Sequence, residues 1–359
     1  MVTGIPGFAM NADEDLARAR TPPAAFYTDP ARLEQEFRTV LARSWQYVGH
    51  AGQLPRHGDY FTCQLGHEPL LFVNDAGTIR GYYNVCRHRA GPIAAGAGQA
   101  PRLVCRYHGW TYDLGGRLLR APEMEGTQDF NIEAIRLAAV AVHRFGPLIF
   151  AALDPATPPF EDFHPRLDAA CVPFRIERMR HVCRIDYPVD ANWKLYIDNY
   201  LEGYHVPMVH PALNREIDYR SYVTELAPHR VLQHAPVRTD SATVYRQAAG
   251  EPNASYYWLY PNIMLNLYSG HQQVNAVLPD GVDRTVVRFD WFGPQAEPGH
   301  AERPEFRALL EFAEIVQVED AAICASVHRN LRSSAYVSGP YSPVRETGVH
   351  YFHRLLRSM

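Results

Sequence analysis

The sequence lacks a long apolar run and an excess of positive charge. Its best apolar stretch, residues 145–153, is interrupted by Gly146 and Pro147 and is far shorter than the roughly 18 residues that cross a bilayer. A membrane span is therefore not expected. The formal net charge of -4 over 359 residues supplies no global positive field for a phosphate backbone or an anionic lipid surface. Nucleic acid and membranes are thus not expected partners.

Cysteine is also scarce, with 6 residues in 359. Such sparse, irregular placement argues against a secreted disulfide framework and favours reduced thiols or metal ligands. The first 16 residues are acidic and have no basic region followed by an apolar one, which is not typical of a signal peptide. These features predict a cytoplasmic protein.

Length and turn signals predict two domains. Asp29-Pro30 is a helix start, with Asp as N-cap and Pro at the first helical position. Short apolar runs between glycine and proline turns then predict an antiparallel β domain, and a proline-rich acidic linker follows at residues 154–163. The second half mixes helices at 191–204 and 304–331 with strands around 256–291. The expected divisions are 1–44, a helical segment packing on the second domain, then 45–153 and 154–359.

Two Cys/His pairs lie in separate loops of the predicted β domain. Cys86 and His88 form the first pair, and Cys105 and His108 form the second. Two thiolates suit one iron of a [2Fe-2S] cluster and two imidazoles suit the other, and neutral histidines raise the cluster's reduction potential. The four residues therefore predict a redox cluster.

Two alternatives compete for these ligands. Two cysteines and two histidines are also a zinc set, although the Cys-x-His pairing matches neither of the common zinc spacings. A disulfide between Cys86 and Cys105 with incidental histidines would need an oxidising compartment. Zinc would indicate an interaction module, and a cluster without a second iron would indicate an electron carrier.

A second constellation follows the linker, on the helix predicted at 191–204. At 100° per residue, Asp198, Glu202 and His205 fall within about 60° of one another. His210 would lie about 140° from His205 if the helix continued. A shared metal therefore requires a helix break between the two histidines, and Pro207 supplies one.

The third ligand should be a carboxylate, because two histidines and one carboxylate leave open iron positions for dioxygen and substrate. Asp320 continues the apolar stripe of the helix predicted at 304–331 and should point inward, where metal coordination would compensate the cost of burying its charge. Glu319 lies about 100° off the stripe and is the weaker choice. The stripe consists of Leu309, Ala313, Val316, Ile323 and Val327.

The two loops resemble the Rieske ferredoxin domain, whose motif is Cys-x-His followed, after a similar interval, by Cys-x-x-His. The likeness extends to Arg89 and to the run CRYHGW at residues 105–110. The second half resembles the catalytic domain of Rieske non-haem iron oxygenase alpha subunits. That resemblance rests on Asn192-Trp193-Lys194, Asp198-Asn199-Tyr200, Glu202 three residues before His205, the His205/His210 spacing and Glu319-Asp320.

The resemblance implies an α+β protein with a Rieske antiparallel β-sandwich domain and a helix-grip (START-like) catalytic domain built on an antiparallel sheet. It implies catalytic roles for Glu202 and Asn199. It also implies a Rieske 2Fe-2S cluster and a mononuclear Fe(II). The cluster ligands would be Cys86, His88, Cys105 and His108, and the iron ligands His205, His210 and Asp320.

Related oxygenases are homotrimers in which the cluster of one subunit lies beside the iron of its neighbour. By resemblance, His108 of one chain would reach Glu202 of the next. No dinucleotide-binding fingerprint is present, so electrons from NAD(P)H are expected through a separate flavin/iron-sulfur reductase or a ferredoxin. Four arginines flank the cluster loops and could steer such an acidic partner, or could instead be solvated or satisfy local carbonyls. They are Arg87, Arg89, Arg102 and Arg106.

The acid at the bridging position bears on the substrate class. Arene dioxygenases have Asp at the bridging position, whereas members acting on quaternary ammonium compounds have Glu, as Glu202 is here. This favours a carnitine- or betaine-like substrate with C–N cleavage or N-demethylation, with aromatic or heteroaromatic hydroxylation as the alternative. A cation-π box is possible, although packing explains any single ring equally well. The rings considered are Tyr204, Tyr256, Tyr257, Trp258, Tyr260 and Tyr268.

Overall fold

The computed structural model describes residues 16–238, 254–268, 270–294 and 303–357. It contains two compact units, one of them Leu41–Thr157 and the other formed by the remaining described residues. The second division falls within the acidic 154–163 segment, and the first lies a few residues before position 44. No helix in the described ranges is both long and apolar enough to cross a bilayer.

The unit Leu41–Thr157 is built from short antiparallel strands. Ala76 and Gly77 link the strands Glu68–Asp75 (β3) and Thr78–Tyr83 (β4). Their φ values of 53° and 92° are the two positive φ angles of a tight hairpin turn. In the described residues, seven strands pair in the order β1-β10-β9-β4-β3-β2-β5 and three in the order β6-β7-β8. The strands are β1 (Gln46–His50), β2 (Asp59–Leu65), β3 (Glu68–Asp75), β4 (Thr78–Tyr83), β5 (Ala97–Gln99), β6 (Leu103–Val104), β7 (Thr111–Tyr112), β8 (Leu118–Arg120), β9 (Ala139–Phe145) and β10 (Leu148–Ala152).

The other unit combines a second antiparallel sheet with helices. Its described strands pair in the order β11-β17-β16-β15-β14-β13-β12, so the expected α+β class is confirmed. The strands are β11 (Arg180–Val189), β12 (Val223–Ala227), β13 (Arg230–His234), β14 (Ser255–Leu259), β15 (Ile263–Tyr268), β16 (His271–Pro279) and β17 (Thr285–Gly293). The helices are α1 (Ala25–Thr28), α2 (Pro30–Glu36), α3 (Phe160–Phe163), α4 (Leu167–Cys171), α5 (Trp193–Tyr200), α6 (Val206–Val209), α7 (Pro211–Glu216), α8 (Pro304–Asn330) and α9 (Thr347–Arg357).

Helix α5 lies at the centre of this unit, in contact with β16, α8 and α9. Asn192 is its N-cap, and the Asn192 side chain accepts a hydrogen bond from the Lys194 backbone N–H at 3.2 Å. Such a cap satisfies a backbone donor that the helix leaves unpaired. Trp193, the first residue of α5, is buried and meets Phe352 edge-on. The cap and this contact together fix the N-terminal end of α5.

A buried ion pair joins α5 to α2. The Lys194 Nζ atom lies 2.7 Å from Glu36 Oε2, and both side chains are buried. Trp193 Nε1 donates to the same oxygen at 3.0 Å. Burial lowers the pKa of Lys194 to about 8 even with the carboxylate beside it, so the lysine depends on Glu36 for its charge.

Replacing Glu36 by alanine should lower the free energy of unfolding by about 3–5 kcal/mol, because it leaves a buried ammonium without its partner. Chemical denaturation measures this loss. Glu34→Ala is the matched control, since Glu34 pairs with Arg38 on the exposed face of α2 and should change stability by no more than about 0.5 kcal/mol. Equal effects of the two substitutions would contradict a buried role for Glu36.

Candidate active site: two metal centres and a cavity

The first centre is formed by the loops that follow β4 and β6. The Cys86 backbone accepts from the Ala90 N–H at 3.1 Å, and the Cys105 carbonyl accepts from the Gly109 N–H at 2.9 Å. Gly109 has a φ of +73°, a left-handed conformation that glycine adopts without strain. Each loop therefore folds back tightly and presents its Cys and His side by side.

Within these loops the thiols point inward and the imidazoles outward. Cys86 and Cys105 are buried, and neither forms a disulfide. Burial raises the pKa of the Cys105 thiol, and the neighbouring Cys86 thiol adds to the rise. His88 and His108 face each other with their Nδ1 atoms 3.1 Å apart. The loops thus bring the two thiols together in the interior and the two imidazoles together nearer the surface.

The distances between these donor atoms distinguish a two-iron cluster from a zinc site. Four donors around one tetrahedral zinc would all lie within about 4 Å of one another. In the described part of the chain, the only set of three or more His, Cys, Asp or Glu that brings its donor atoms within 4.8 Å of one another is His205, His210 and Asp320. The Cys/His loops therefore fit two irons, one for each donor pair, better than they fit one zinc.

The second centre begins where α5 ends. The predicted helix was too long, because α5 stops at Tyr200 and not at residue 204. Glu202 caps the following turn by accepting from the backbone N–H groups of Tyr204 and His205. Pro207 was expected to break a helix, but it lies in the first turn of α6, where proline is tolerated. The short helix α6 itself lies between the two histidines, with His205 at its N-cap and His210 at its C-cap.

The prediction that Asp198 shares a face with Glu202 and His205 was wrong for the same reason. Asp198 still belongs to α5, and its side chain contacts the N-terminal segment and α9. It accepts a hydrogen bond from Tyr27 at 2.6 Å and lies 2.8 Å from His353 Nε2. Asp198 therefore holds α5 against the N-terminal segment and α9.

The predicted iron ligands meet in one place. His210 Nε2 lies 2.9 Å from Asp320 Oδ1, and His205 Nε2 lies 3.7 Å from the same oxygen. The two imidazoles meet edge to face with centroids 5.0 Å apart. Two imidazole nitrogens and one carboxylate on one side of a common point form the donor set of non-haem Fe(II) oxygenases.

Each histidine is also oriented by a carboxylate on its other nitrogen. Glu202 Oε1 lies 2.6 Å from His205 Nδ1, and Glu319 Oε2 lies 2.6 Å from His210 Nδ1. Asn199 donates from Nδ2 to Asp320. Carboxylates in this position fix the imidazole tautomer and leave Nε2 free for a metal. Glu319, the weaker candidate for a ligand, is thus placed to orient a ligand.

The electrostatics of the site favour a cation. Burial disfavours the charged form of His210, but the carboxylates of Asp320 and Glu319 outweigh burial and raise its pKa. A site whose acids attract positive charge to a buried imidazole also fits a divalent ion among those acids.

The apolar stripe that pointed to Asp320 is only partly correct. Leu309 is buried, but Ile323 and Val327 are 37% and 41% exposed. The buried face of the C-terminal half of α8 carries Gln317, Cys324 and His328 instead. Asp320 lies one turn after Gln317 and four residues before Cys324, so it still faces the interior with 15% of its side chain exposed.

A cavity of about 140 Å³ adjoins the iron ligands. Of the six aromatic residues considered for a cation-π box, only Tyr256 and Tyr268 line it among the described residues. Tyr204 is exposed, and Trp258 packs against Phe352 in the core. Asn199, which the resemblance singled out, also lines this cavity. The sequence did not identify the other amide residues in the lining, which are Gln233, Asn266, Gln273, Asn275 and Gln317.

Comparison with known proteins places both centres in context. The family described as "Ring hydroxylating alpha subunit (catalytic domain)" matches residues 176–359, and the "Rieske [2Fe-2S] domain" matches residues 44–131. The chain is 34% identical over 358 residues to a chloroplastic choline monooxygenase of Arabidopsis thaliana, covering 95% of this chain and 83% of that protein. It is 31% identical to the glycine betaine monooxygenase oxygenase subunit of Chromohalobacter salexigens, covering 95% and 87%.

A solved structure of a quaternary ammonium Rieske monooxygenase, described in connection with carnitine oxidation by gut microbiota, superposes with a TM-score of 0.87. That structure shares 26% sequence identity, and the match covers 96% of both chains. The likeness therefore includes both units of this chain.

Proposed function

This chain belongs to the Rieske non-haem iron oxygenases as an alpha subunit, and we propose that it hydroxylates a quaternary ammonium compound. The observation that carries the substrate class is the small cavity lined by acids and aromatic rings beside the iron ligands. The similarity to relatives named for choline, glycine betaine and carnitine supports it. Aromatic hydroxylation is the alternative.

The matched domains bring a Rieske [2Fe-2S] cluster and a mononuclear iron, which together supply electron transfer and dioxygen activation when bound. We propose that Cys86, His88, Cys105 and His108 hold the cluster. We further propose that the iron is held by His205, His210 and Asp320. In the net reaction a C–H bond becomes C–OH, dioxygen supplies the oxygen, and two electrons and two protons reduce the second oxygen atom to water. Hydroxylation at a carbon bonded to nitrogen would lead to C–N cleavage.

Residues around the proposed iron ligands would position those ligands without reacting themselves. Glu202 and Glu319 hold the two iron histidines through Nδ1. Asn199 holds Asp320 by a hydrogen bond from its amide. The buried phenols of the cavity exclude water, and burial raises the pKa of Tyr256 to about 12, so the ring stays neutral beside a cationic substrate.

We also propose a separate electron donor and a homotrimer in a reducing, cytoplasmic compartment. Arg87, Arg89, Arg102 and Arg106 are all exposed beside the cluster loops, which suits an acidic reductase or ferredoxin carrying electrons from NAD(P)H. Tyr107 is 58% and Met208 is 86% exposed. Exposed apolar side chains next to the proposed cluster and iron ligands suit contacts between subunits.

Metal analysis and substrate screening test this function together. Protein purified anaerobically should contain about three irons and two acid-labile sulfides per chain. With a surrogate reductase, quaternary ammonium compounds should couple oxygen consumption to product, and aromatic acids should not. Zinc without sulfide would overturn the metal assignment, and coupled oxidation of aromatic acids alone would overturn the substrate class.

A further inference from the structure

Four buried amide side chains line the cavity, each with one polar atom that has no hydrogen-bond partner in the described part of the chain. They are Gln233, Gln273, Asn275 and Gln317, and none is more than 4% exposed. The unpartnered atoms are the acceptors Gln233 Oε1 and Asn275 Oδ1 and the donors Gln273 Nε2 and Gln317 Nε2. A buried polar atom without a partner costs about 1–3 kcal/mol, so the cavity is suited to a polar guest.

Hydrogen bonds at the opposite ends of three amides fix their orientation. Gln233 Nε2 donates to the Tyr200 carbonyl at 2.6 Å, and Gln317 Oε1 accepts from the Tyr196 hydroxyl. Gln273 Oε1 accepts from Asn266 Nδ2 at 2.9 Å. The cavity therefore presents both fixed donors and fixed acceptors. A hydroxyl group can satisfy both kinds, whereas a carboxylate can only accept.

The charges around the cavity favour a cation and disfavour a carboxylate. Glu202 and Asp320 line it, and Glu319 lies directly behind His210. The charge of these three carboxylates exceeds that of one ferrous ion. Within the described ranges no lysine or arginine lines the cavity. A substrate carboxylate buried here would have no cationic partner, which is costly, whereas an ammonium group would compensate the excess negative charge.

The size of the cavity and its aromatic rings further restrict the substrates that it can hold. The cavity of about 140 Å³ is close to the roughly 150 Å³ that holds a molecule of benzene. Choline is of that size, while carnitine is larger. Tyr200, Tyr222 and Tyr256 also line the cavity, and burial raises the pKa of each phenol. Neutral aromatic rings attract a methylated ammonium through their faces.

We propose that the amide set selects a compact trimethylammonium alcohol of the choline type, and excludes betaines and carnitine that carry a carboxylate. The ammonium group lies among the acids and rings, and the hydroxyl group exchanges hydrogen bonds with the amides. This specificity rests on the proposed function, because it assumes that a quaternary ammonium compound is oxidised at this iron.

Equilibrium binding tests the selection without turnover. Isothermal titration of the iron-loaded, oxidised protein under argon is carried out with choline, glycine betaine, L-carnitine and 3,3-dimethyl-1-butanol, the uncharged analogue of choline. Choline should bind about tenfold or more tightly than any of the other three. The uncharged analogue leaves the acids without a partner, and glycine betaine leaves the amide acceptors without a donor. L-carnitine has a hydroxyl group, but its carboxylate would find no lysine or arginine in the cavity lining.

A positive charge placed among the amides should shift the binding preference from choline toward glycine betaine. Gln273→Lys introduces a cation at the unpartnered donor and should improve the affinity for glycine betaine, relative to choline, by about tenfold or more. Gln273→Met, of similar size and uncharged, is the control. It should weaken choline binding without improving betaine binding. Iron content, measured on both variants, reports whether the fold and the metal centres are retained.

The results separate this proposal from the one on which it rests. Glycine betaine or carnitine binding as tightly as choline to the unaltered protein would overturn the selection by the amides and leave a quaternary ammonium substrate in place. The selection by the amides would also be overturned if Gln273→Lys and Gln273→Met changed the affinity for glycine betaine, relative to choline, by the same factor. If none of the three ammonium compounds binds and an aromatic acid does, the proposed function itself fails.

Discussion

Replacing Asp320 by alanine should remove one iron per chain and leave the cluster intact. Total iron should fall from about three to about two per chain, with acid-labile sulfide and the reducible visible spectrum unchanged. The reason is that Asp320 Oδ1 is the oxygen that both His205 Nε2 and His210 Nε2 approach. Without it two histidines remain, and coupled substrate oxidation should be lost. Iron, sulfide and the absorption spectrum of the purified variant measure the result.

Glu319→Gln provides the matched control, one residue away on the same helix. Glu319 contacts His210 Nδ1 and is 29% exposed, so the substitution should keep the iron but weaken its affinity by about 10- to 100-fold. Competition with a chelator measures the difference. The reverse pattern, with iron lost from Glu319→Gln and retained by Asp320→Ala, would show that the ligand has been assigned to the wrong carboxylate.

The cluster loops could be predicted from sequence because their information is local. Each Cys and His of a pair lies within three residues of its partner, and the loop that joins them is closed by its own backbone hydrogen bonds. No long-range geometry was needed to recognise two donor pairs. What the sequence could not give is the 3.1 Å approach of His88 to His108, which depends on how two separate loops pack.

The iron site was predicted with partly wrong geometry. The helical-face argument placed Asp198 with Glu202, yet α5 ends before Glu202 because that carboxylate caps the next turn. Helical periodicity predicts which side chains share a face, but it does not show where a side chain will bond to the backbone and end the helix. The predicted inward direction of Asp320 holds although the second half of its stripe is exposed, because Asp320 shares the buried face of α8 with Gln317 and Cys324.

The amide set could not be located from sequence at all. Gln273 meets Asn266 only through the pairing of β15 with β16, and Gln317 joins them from α8, far along the chain. One signal was nevertheless present. Strands β15 and β16 are almost entirely buried, yet the sequence places Asn and Gln within them. Polar residues that break the rule for a buried strand are expected at functional sites.

Glu202→Gln should separate metal binding from coupled oxidation. Glu202 Oε1 contacts His205 Nδ1 at 2.6 Å, and Oε2 accepts from two backbone N–H groups. A glutamine must turn its NH₂ group toward one of these donors, and it loses the charge that fixes the imidazole. Iron content should persist, while the rate of coupled product formation should fall by about 100-fold.

Stopped-flow measurement of cluster reoxidation shows where the loss occurs. In the reduced, substrate-loaded variant the cluster absorbance should return far more slowly after mixing with oxygen, since by resemblance this carboxylate links cluster and iron. Glu202→Asp keeps the charge and should restore part of the rate. Glu225→Gln is the control, because Glu225 forms an exposed pair with His234, and that variant should behave like the unaltered protein. Normal reoxidation and normal product formation in Glu202→Gln would remove Glu202 from the path between the two centres.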